Sequence, residues 1–406
     1  MTDAAALALD YADRLILGAV RDVHSSVAQR SFSATRIVAG RGPEWIHARV
    51  SNAVYAGVST AIRGSATGLR ALARRGIGAP LESSPSGRQV ASAVNALVGA
   101  ELAESGDPGR IQMALRSHAA DVPMDPAALV RAYPNATGKV VLLLHGLGEN
   151  DESWRLRATE QGSTYAERLG AETDWTPLLL RYNTGLHVSD NGAELAGLIS
   201  RLEASWPVPI TSIAFVGHSM GGLLARSTTA QAYAVGEGWV GKVTQVVCLG
   251  TPHLGAQLEK VVHLGARALA WMPESAPFGT ILDTRSPGIV DLRHGYVTRD
   301  EWEGHDLTAT WGQRRIAVAP LPHAHYHFVA ATLGRAPHQL ASHVLGDVLV
   351  RFPSASGRGR RGDPVCDPAE VEHLGGTDHF ALLNHPQIAA WLVQWLQSSA
   401  DGVVTA

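Results

Sequence analysis

Cysteine is nearly missing from the chain: Cys248 and Cys366 are the only two in 406 residues. That excludes a disulfide framework, and neither cysteine stands in a paired Cys/His spacing suited to zinc, so a reducing compartment is expected. Cys248 lies in the apolar run Val243 to Leu249 and reads as a small buried hydrophobe. An excess of positive charge is missing too. The 34 Lys plus Arg against 37 Asp plus Glu leave a net charge of -3, which argues against nucleic acid as a partner. The tight basic knot Arg358, Arg360 and Arg361 sits among glycines and serines and reads as a solvated loop. No run approaches the ~18 consecutive apolar residues of a membrane span. Asp3, Asp10 and Asp13 stand where a signal peptide would need positive charge and then an unbroken apolar stretch, so the expectation is a cytoplasmic protein.

What is present is a globular composition, 45% hydrophobic and 17% charged. At ~150 residues per domain, the length allows one enzyme-sized domain with an accessory region. Residues 1–130 differ from the rest: they are rich in Ala, Arg and Ser, with apolar positions at helical spacing. Val50, Val54, Val58 and Ile62 form a stripe within an amphipathic helix expected from Glu44 to Arg75, which Arg70, Arg74 and Arg75 end with positive charge. A weaker helix is expected over Ala4–Gln29, and a helix pair over Gln89–Ser105 and Pro108–His118. This N-terminal helical region is read as a flank packed on the main domain; the second reading lays it on a lipid surface as a peripheral contact.

From about residue 131 the pattern changes. KVVLLLHG, TPLLLRYN, PITSIAFVGHS, KVTQVVCLG and HYHFVAATLG read as strands buried on both faces. Helical candidates at Ser163–Leu169, Ser189–Ser205 and Gly222–Gly236 separate the earlier ones. Such alternation predicts an α/β domain over 131–406 with a mostly parallel, doubly wound sheet and helices on both faces. Chemistry then gathers at the C-terminal ends of the strands. A segment from about 253 to 315, with a helix expected from Ala256 to Met272, interrupts the alternation and reads as a lid insertion.

Gly217-His218-Ser219-Met220-Gly221 follows an apolar strand and opens a helix, the context of a nucleophile elbow. A serine on so sharp a turn needs Gly217 and Gly221 as neighbours without side chains, and the helix start offers free N–H groups beside it. The N–H of Met220 is one expected oxyanion donor, and the loop His145-Gly146-Leu147-Gly148 after the strand Val140 to Leu144 is placed to supply another. His145 in that loop reads as structural. A serine needs a base, and in this arrangement the chain order is serine, acid, histidine. His379 follows a glycine-rich turn and precedes a closing helix, Pro386 to Gln397; His385 is the second candidate. Asp347, in a loop after a strand, is the expected acid, ahead of Asp283, Asp291 and Asp306 in the insertion and of Asp363, Asp367 and Asp378.

Together, HGLGEND-x-x-W (His145 to Trp154), RYNTG (Arg181 to Gly185), GHSMGGL, CLGTPHLGA (Cys248 to Ala256), GD-x-LV-x-x-x-SASG (Gly346 to Gly357) and DHFALLNHP resemble the GPI inositol-deacylase-like branch of the α/β-hydrolase lipases and esterases. The resemblance covers about Val140 to Leu396. It implies the α/β-hydrolase fold and an oxyanion donor at the Leu147 N–H, and it makes His253 of the GTPH segment a structural residue. Relatives read GDGLVP around the acid, whereas this chain has Val348 in place of the second glycine and Arg351 in place of the proline.

The expected activity is hydrolysis of a carboxylic ester with a hydrophobic acyl group, small-molecule or lipid, through Ser219, His379 and Asp347, with no metal or organic cofactor. An acyltransferase or thioesterase would use the same triad, because water exclusion chooses the acceptor. A lipid-surface or protein-binding module that only retains the fold is the third reading.

Overall fold

The computed structural model describes residues 81–256, 286–305, 316, 318–336, 346–358, 365–366 and 369–398. The helices expected over 4–29 and 44–75 lie outside the described residues, as does all but the first residue of the helix expected from Ala256 to Met272. The strands are β1 (Ala114–Ser117), β2 (Ala120–Val122), β3 (Lys139–Leu144), β4 (Trp175–Arg181), β5 (Ser212–His218), β6 (Val243–Leu249), β7 (His325–Thr332) and β8 (Glu370–Gly375). The α-helices are α1 (Pro85–Glu104), α2 (Pro126–Ala132), α3 (Ala158–Gln161), α4 (Tyr165–Glu172), α5 (Val188–Ser205), α6 (Met220–Val235), α7 (Pro287–His294), α8 (Phe352–Ala355) and α9 (Pro386–Ser398).

One sheet takes all the strands in the order β2-β1-β4-β3-β5-β6-β7-β8. From β4 through β8 every neighbouring pair is parallel, and β1 runs antiparallel to both β4 and β2. The runs of Val, Leu and Ile explain the arrangement, since strands covered on both faces need apolar side chains at every position. In β3, Val140, Leu142 and Leu144 face one core with Leu195, Ile199 and Leu223 of α5 and α6. Val141 and Leu143 face the other, with Trp154, Trp175, Ile388 and Leu392.

The helix expected over Pro108–His118 does not form. Its second half is β1, and His118 and Ala119 make the turn to β2 at φ 50 and 61. Arg116 accounts for this. Its buried guanidinium reaches Asp121 across the hairpin at 2.6 Å and Asp151 at 3.3 Å, while β4 supplies the backbone partners. Pairing in the tertiary structure thus overrides the local helix pattern. The sheet therefore draws on residues upstream of 130, inside the region read as wholly helical.

Helix α1 agrees with its expectation and is capped at Ser84, whose hydroxyl accepts the Gly87 N–H, with Pro85 in the first turn. It docks on the α/β domain. Arg88 binds Glu152 through two N–H groups, Gln89 donates to the Gly148 carbonyl at 3.1 Å, and Ser92 accepts from Asn150. The described part of the insertion is likewise anchored: Asp291 of α7 accepts from the Val188 N–H at 2.7 Å and meets His187, and the Ser286 hydroxyl donates to Ala96 of α1.

Leu142, fully buried at the centre of the sheet, gives a test of this packing. Leu142→Ala is expected to destabilise the fold by about 3 kcal/mol through lost burial and a residual cavity, read as a lower urea midpoint with an unchanged slope.

Candidate active site

Ser219 sits between β5 and α6 at φ 52 and ψ -118, a conformation that an L-residue adopts only when its surroundings impose it. Its N–H donates to the Leu249 carbonyl at the end of β6 at 2.8 Å. Both flanking glycines are required by space. A Cβ on Gly217 would lie 2.3 Å from the Gly222 nitrogen, and one on Gly221 would lie 2.0 Å from the Leu144 carbonyl oxygen. The start of α6, with Met220 at its head, is therefore packed backbone to backbone against the end of β3, where the turn containing Leu147 begins.

That turn is closed twice: the Glu149 N–H donates to the Gly146 carbonyl at 3.2 Å, and the Glu149 carboxylate accepts the Gly146 N–H at 2.7 Å. Gly148, at φ 68, donates to the Thr184 hydroxyl at 3.1 Å. His145 is buried and stacked on Tyr182, with Nδ1 3.0 Å from the Gly146 carbonyl and Nε2 facing the Tyr182 N–H. Burial lowers its pKa despite the Gly146 bond and nearby Glu149 and Asp151.

On the other side of Ser219, Asp347 and His379 are brought together. His379 Nδ1 donates to Asp347 Oδ2 at 2.7 Å, and the two backbones are joined by the His379 N–H on the Asp347 carbonyl at 3.0 Å. Asp347 is fully buried, and its other oxygen accepts the N–H groups of Leu349 and Val350 at 3.0 and 2.7 Å. For His379, burial alone would lower the pKa; the charge and hydrogen bond of Asp347, with Glu149 and Asp378 adding to them, overcome it and hold the ring above the ordinary histidine value. Nε2, the far nitrogen, is buried without a hydrogen-bond partner, so Ser219 does not bond to it in this state. Proximity follows from the neighbours. The His218 ring, next to Ser219 in sequence, lies 4.8 Å from the His379 ring, and a Cβ on Gly250 would fall 3.1 Å from His379 Cε1.

The other candidate acids and histidines among the described residues are occupied elsewhere; Asp283, Asp306, Asp363 and Asp367 lie outside the described residues. Asp378 caps the short turn after His379 by accepting from Phe380 and Ala381. His385 accepts the Gln387 N–H, and His373 bonds the Thr332 hydroxyl. His253 is stacked on Phe328 beside Arg226; burial first and then that guanidinium lower its pKa well below the usual range. Cys248 is buried beneath the elbow, and burial pushes its thiol up to about 12.

Glu149 and Gln89 are the site neighbours that sequence reasoning passed over. A carboxylate placed three residues after Gly146 in a glycine turn is a visible signal, whereas the approach of Gln89 to Gly148 depends on tertiary docking. Among the described residues no group of His, Cys, Asp and Glu is placed to hold a metal ion, and no helix is long and apolar enough to cross a membrane.

Comparison with known proteins gives a match over part of the chain. The PGAP1-like alpha/beta domain family matches residues 135–306. Among solved structures, the lipase BlEst2 of Bacillus licheniformis is similar at 19% identity over 63% of this chain and 91% of its own, with a TM-score of 0.41. The esterase PF2001 of Pyrococcus furiosus is similar at 15% identity over 65% and 83%, with a TM-score of 0.39. The NocB thioesterase domain is similar at 15% identity over 66% and 97%, with a TM-score of 0.38. No curated protein sequence matches the chain.

Val348 takes φ 91 in the loop that presents Asp347. A β-branched side chain is strained there. Val348→Gly is expected to raise stability by about 1 kcal/mol, seen as a higher Tm in thermal unfolding; a lower Tm would show that the loop carries no such strain.

Proposed function

From a chain whose residues 135–306 form a PGAP1-like α/β domain in a sheet of hydrolase type, we propose a serine-dependent carboxylic ester hydrolase of lipase or esterase kind. One observation carries the reading: the strained Ser219 elbow stands beside a buried, 2.7 Å Asp347–His379 pair whose outer nitrogen is free. That nitrogen is the one left to take the Ser219 proton, since Nδ1 is held by Asp347. Apo geometry at such sites is commonly loose and tightens when substrate binds.

In the proposed reaction Ser219 Oγ attacks the acyl carbonyl carbon while His379 Nε2 accepts its proton. Asp347 keeps Nδ1 protonated and stabilises the ring as it becomes charged. The N–H groups of Leu147 and Met220 receive the developing oxyanion. His379 returns the proton to the leaving alcohol, and water then repeats the sequence on the acyl-enzyme, releasing the acid and Ser219. The hydrophobic acyl group follows from the apolar character of the insertion and of the N-terminal stripe.

The test is hydrolysis of p-nitrophenyl esters from acetate to palmitate. Wild type should cleave part of the series, and Ser219→Ala or His379→Ala should each lower kcat by more than about 10³-fold; equal rates in wild type and Ser219→Ala would reject the reading. The base works only when unprotonated, and Asp347 favours its protonated form. The acid limb of kcat/KM is therefore expected above pH about 6.5, the ordinary histidine value.

A further inference from the structure

Glu149 has no part in the steps above, yet it is a carboxylate with a side chain only 10% exposed, set between the two halves of the site. Burying a charge is costly unless hydrogen bonds or an opposite charge offset it. Here the offsets are the Gly146 N–H at 2.7 Å and His218 Nδ1 at 3.1 Å. These outweigh burial and, with the His145 ring adding a smaller part, hold the Glu149 pKa below the usual carboxylate range.

His218 extends the connection. Its ring is fully buried, and its Nε2 lies 3.3 Å from the backbone carbonyl of His379. Both partners of this ring, a carboxylate and a carbonyl, can only accept, so both bonds form together only when each ring nitrogen carries a proton. A continuous path therefore runs from the turn around Leu147, through Glu149 and His218, to the main chain of His379. It passes directly beside Ser219.

We propose that Glu149 is a positioning residue of this site, acting through His218 to hold the turn that carries Leu147 and the loop that carries His379 in fixed register. The proposal rests on the hydrolase reading for its kinetic consequence but not for its structural one. The groups facing His379 are Asp347 from the loop after β7, Asp378 on its own loop, His218 from the elbow and Glu149 from the loop after β3. Of these, Glu149 alone joins the oxyanion side to the base side. Its charge also favours a protonated His379, so the carboxylate acts on the base by field as well as by geometry.

Glu149→Gln keeps the shape and one acceptor but removes the charge; Glu149→Ala removes both. With a short p-nitrophenyl ester, kcat should fall about 10-fold in the first and about 100-fold in the second, with KM within about twofold of wild type, as for a misplaced rather than missing catalytic group. The acid limb should move to lower pH in Glu149→Gln. The His379 ring titration, followed by NMR in the resting protein, should move the same way while far-UV circular dichroism and Tm stay at wild-type values. A wild-type kcat, an unmoved limb and an unmoved ring titration in Glu149→Gln would overturn the proposal. If Glu149→Ala fails to fold, Glu149→Gln and the NMR titration decide the matter alone. Labelling by a fluorophosphonate separates the two readings: a wild type that neither reacts nor hydrolyses esters removes the hydrolase reading, and the ring titration still reports whether Glu149 is coupled to His379.

Discussion

Backbone packed on backbone is the constraint around which this site is arranged. The elbow holds Ser219 at positive φ because its N–H is fixed to Leu249 of β6, while Gly221 lets the first turn of α6 press on the Leu144 carbonyl of β3. No side chain could stand between these segments. The serine and the turn after β3 are thereby set side by side by strand register alone, before any side-chain interaction contributes. Strain of this kind persists only where the surroundings over-determine it, and here parallel strands on both sides of β5 do so.

Electrostatics then adds what the backbone begins. Asp347 and Glu149 are carboxylates drawn into the interior from different loops, and each is fixed by backbone N–H groups as well as by a histidine. Charged groups held this way reorganise little when charge develops nearby, which is the property a pre-organised site needs. The same burial that leaves His145 and His253 depressed is overruled at His379, because of these three rings only His379 has a carboxylate at hydrogen-bond distance; His253 has the Arg226 guanidinium, which lowers it further.

Much of this was legible in the residues. Continuous apolar runs announced the parallel strands, and glycines two residues either side of Ser219 announced the elbow, because each has a local physical cause. The loop after β7 and the glycine turn before His379 also carried enough local signal to bring Asp347 and His379 forward as a pair. What escaped was non-local. Ala114–Ser117 is strand because β4 lies beside it and Arg116 finds acidic partners, and nothing within those few residues says so. The link from Glu149 to His218 joins residues 69 positions apart, beyond any spacing rule. The family match, 135–306, contains Ser219 and the turn after β3 but stops before Asp347 and His379. The Ser219 side is thus where sequence pattern is densest.

The margins of the sheet carry a different consequence. At one margin β2 is only three residues long and holds Asp121, ion-paired to Arg116 and Arg181; at the other, β8 carries Glu370, Glu372 and His373. An unpaired strand edge invites a second sheet to add to it, and short, charge-bearing edges are the usual deterrent. Among the described residues the outermost strand at each margin carries charge, so a core of almost uninterrupted Val, Leu and Ile strands does not end in a bare apolar edge that could template its own aggregation.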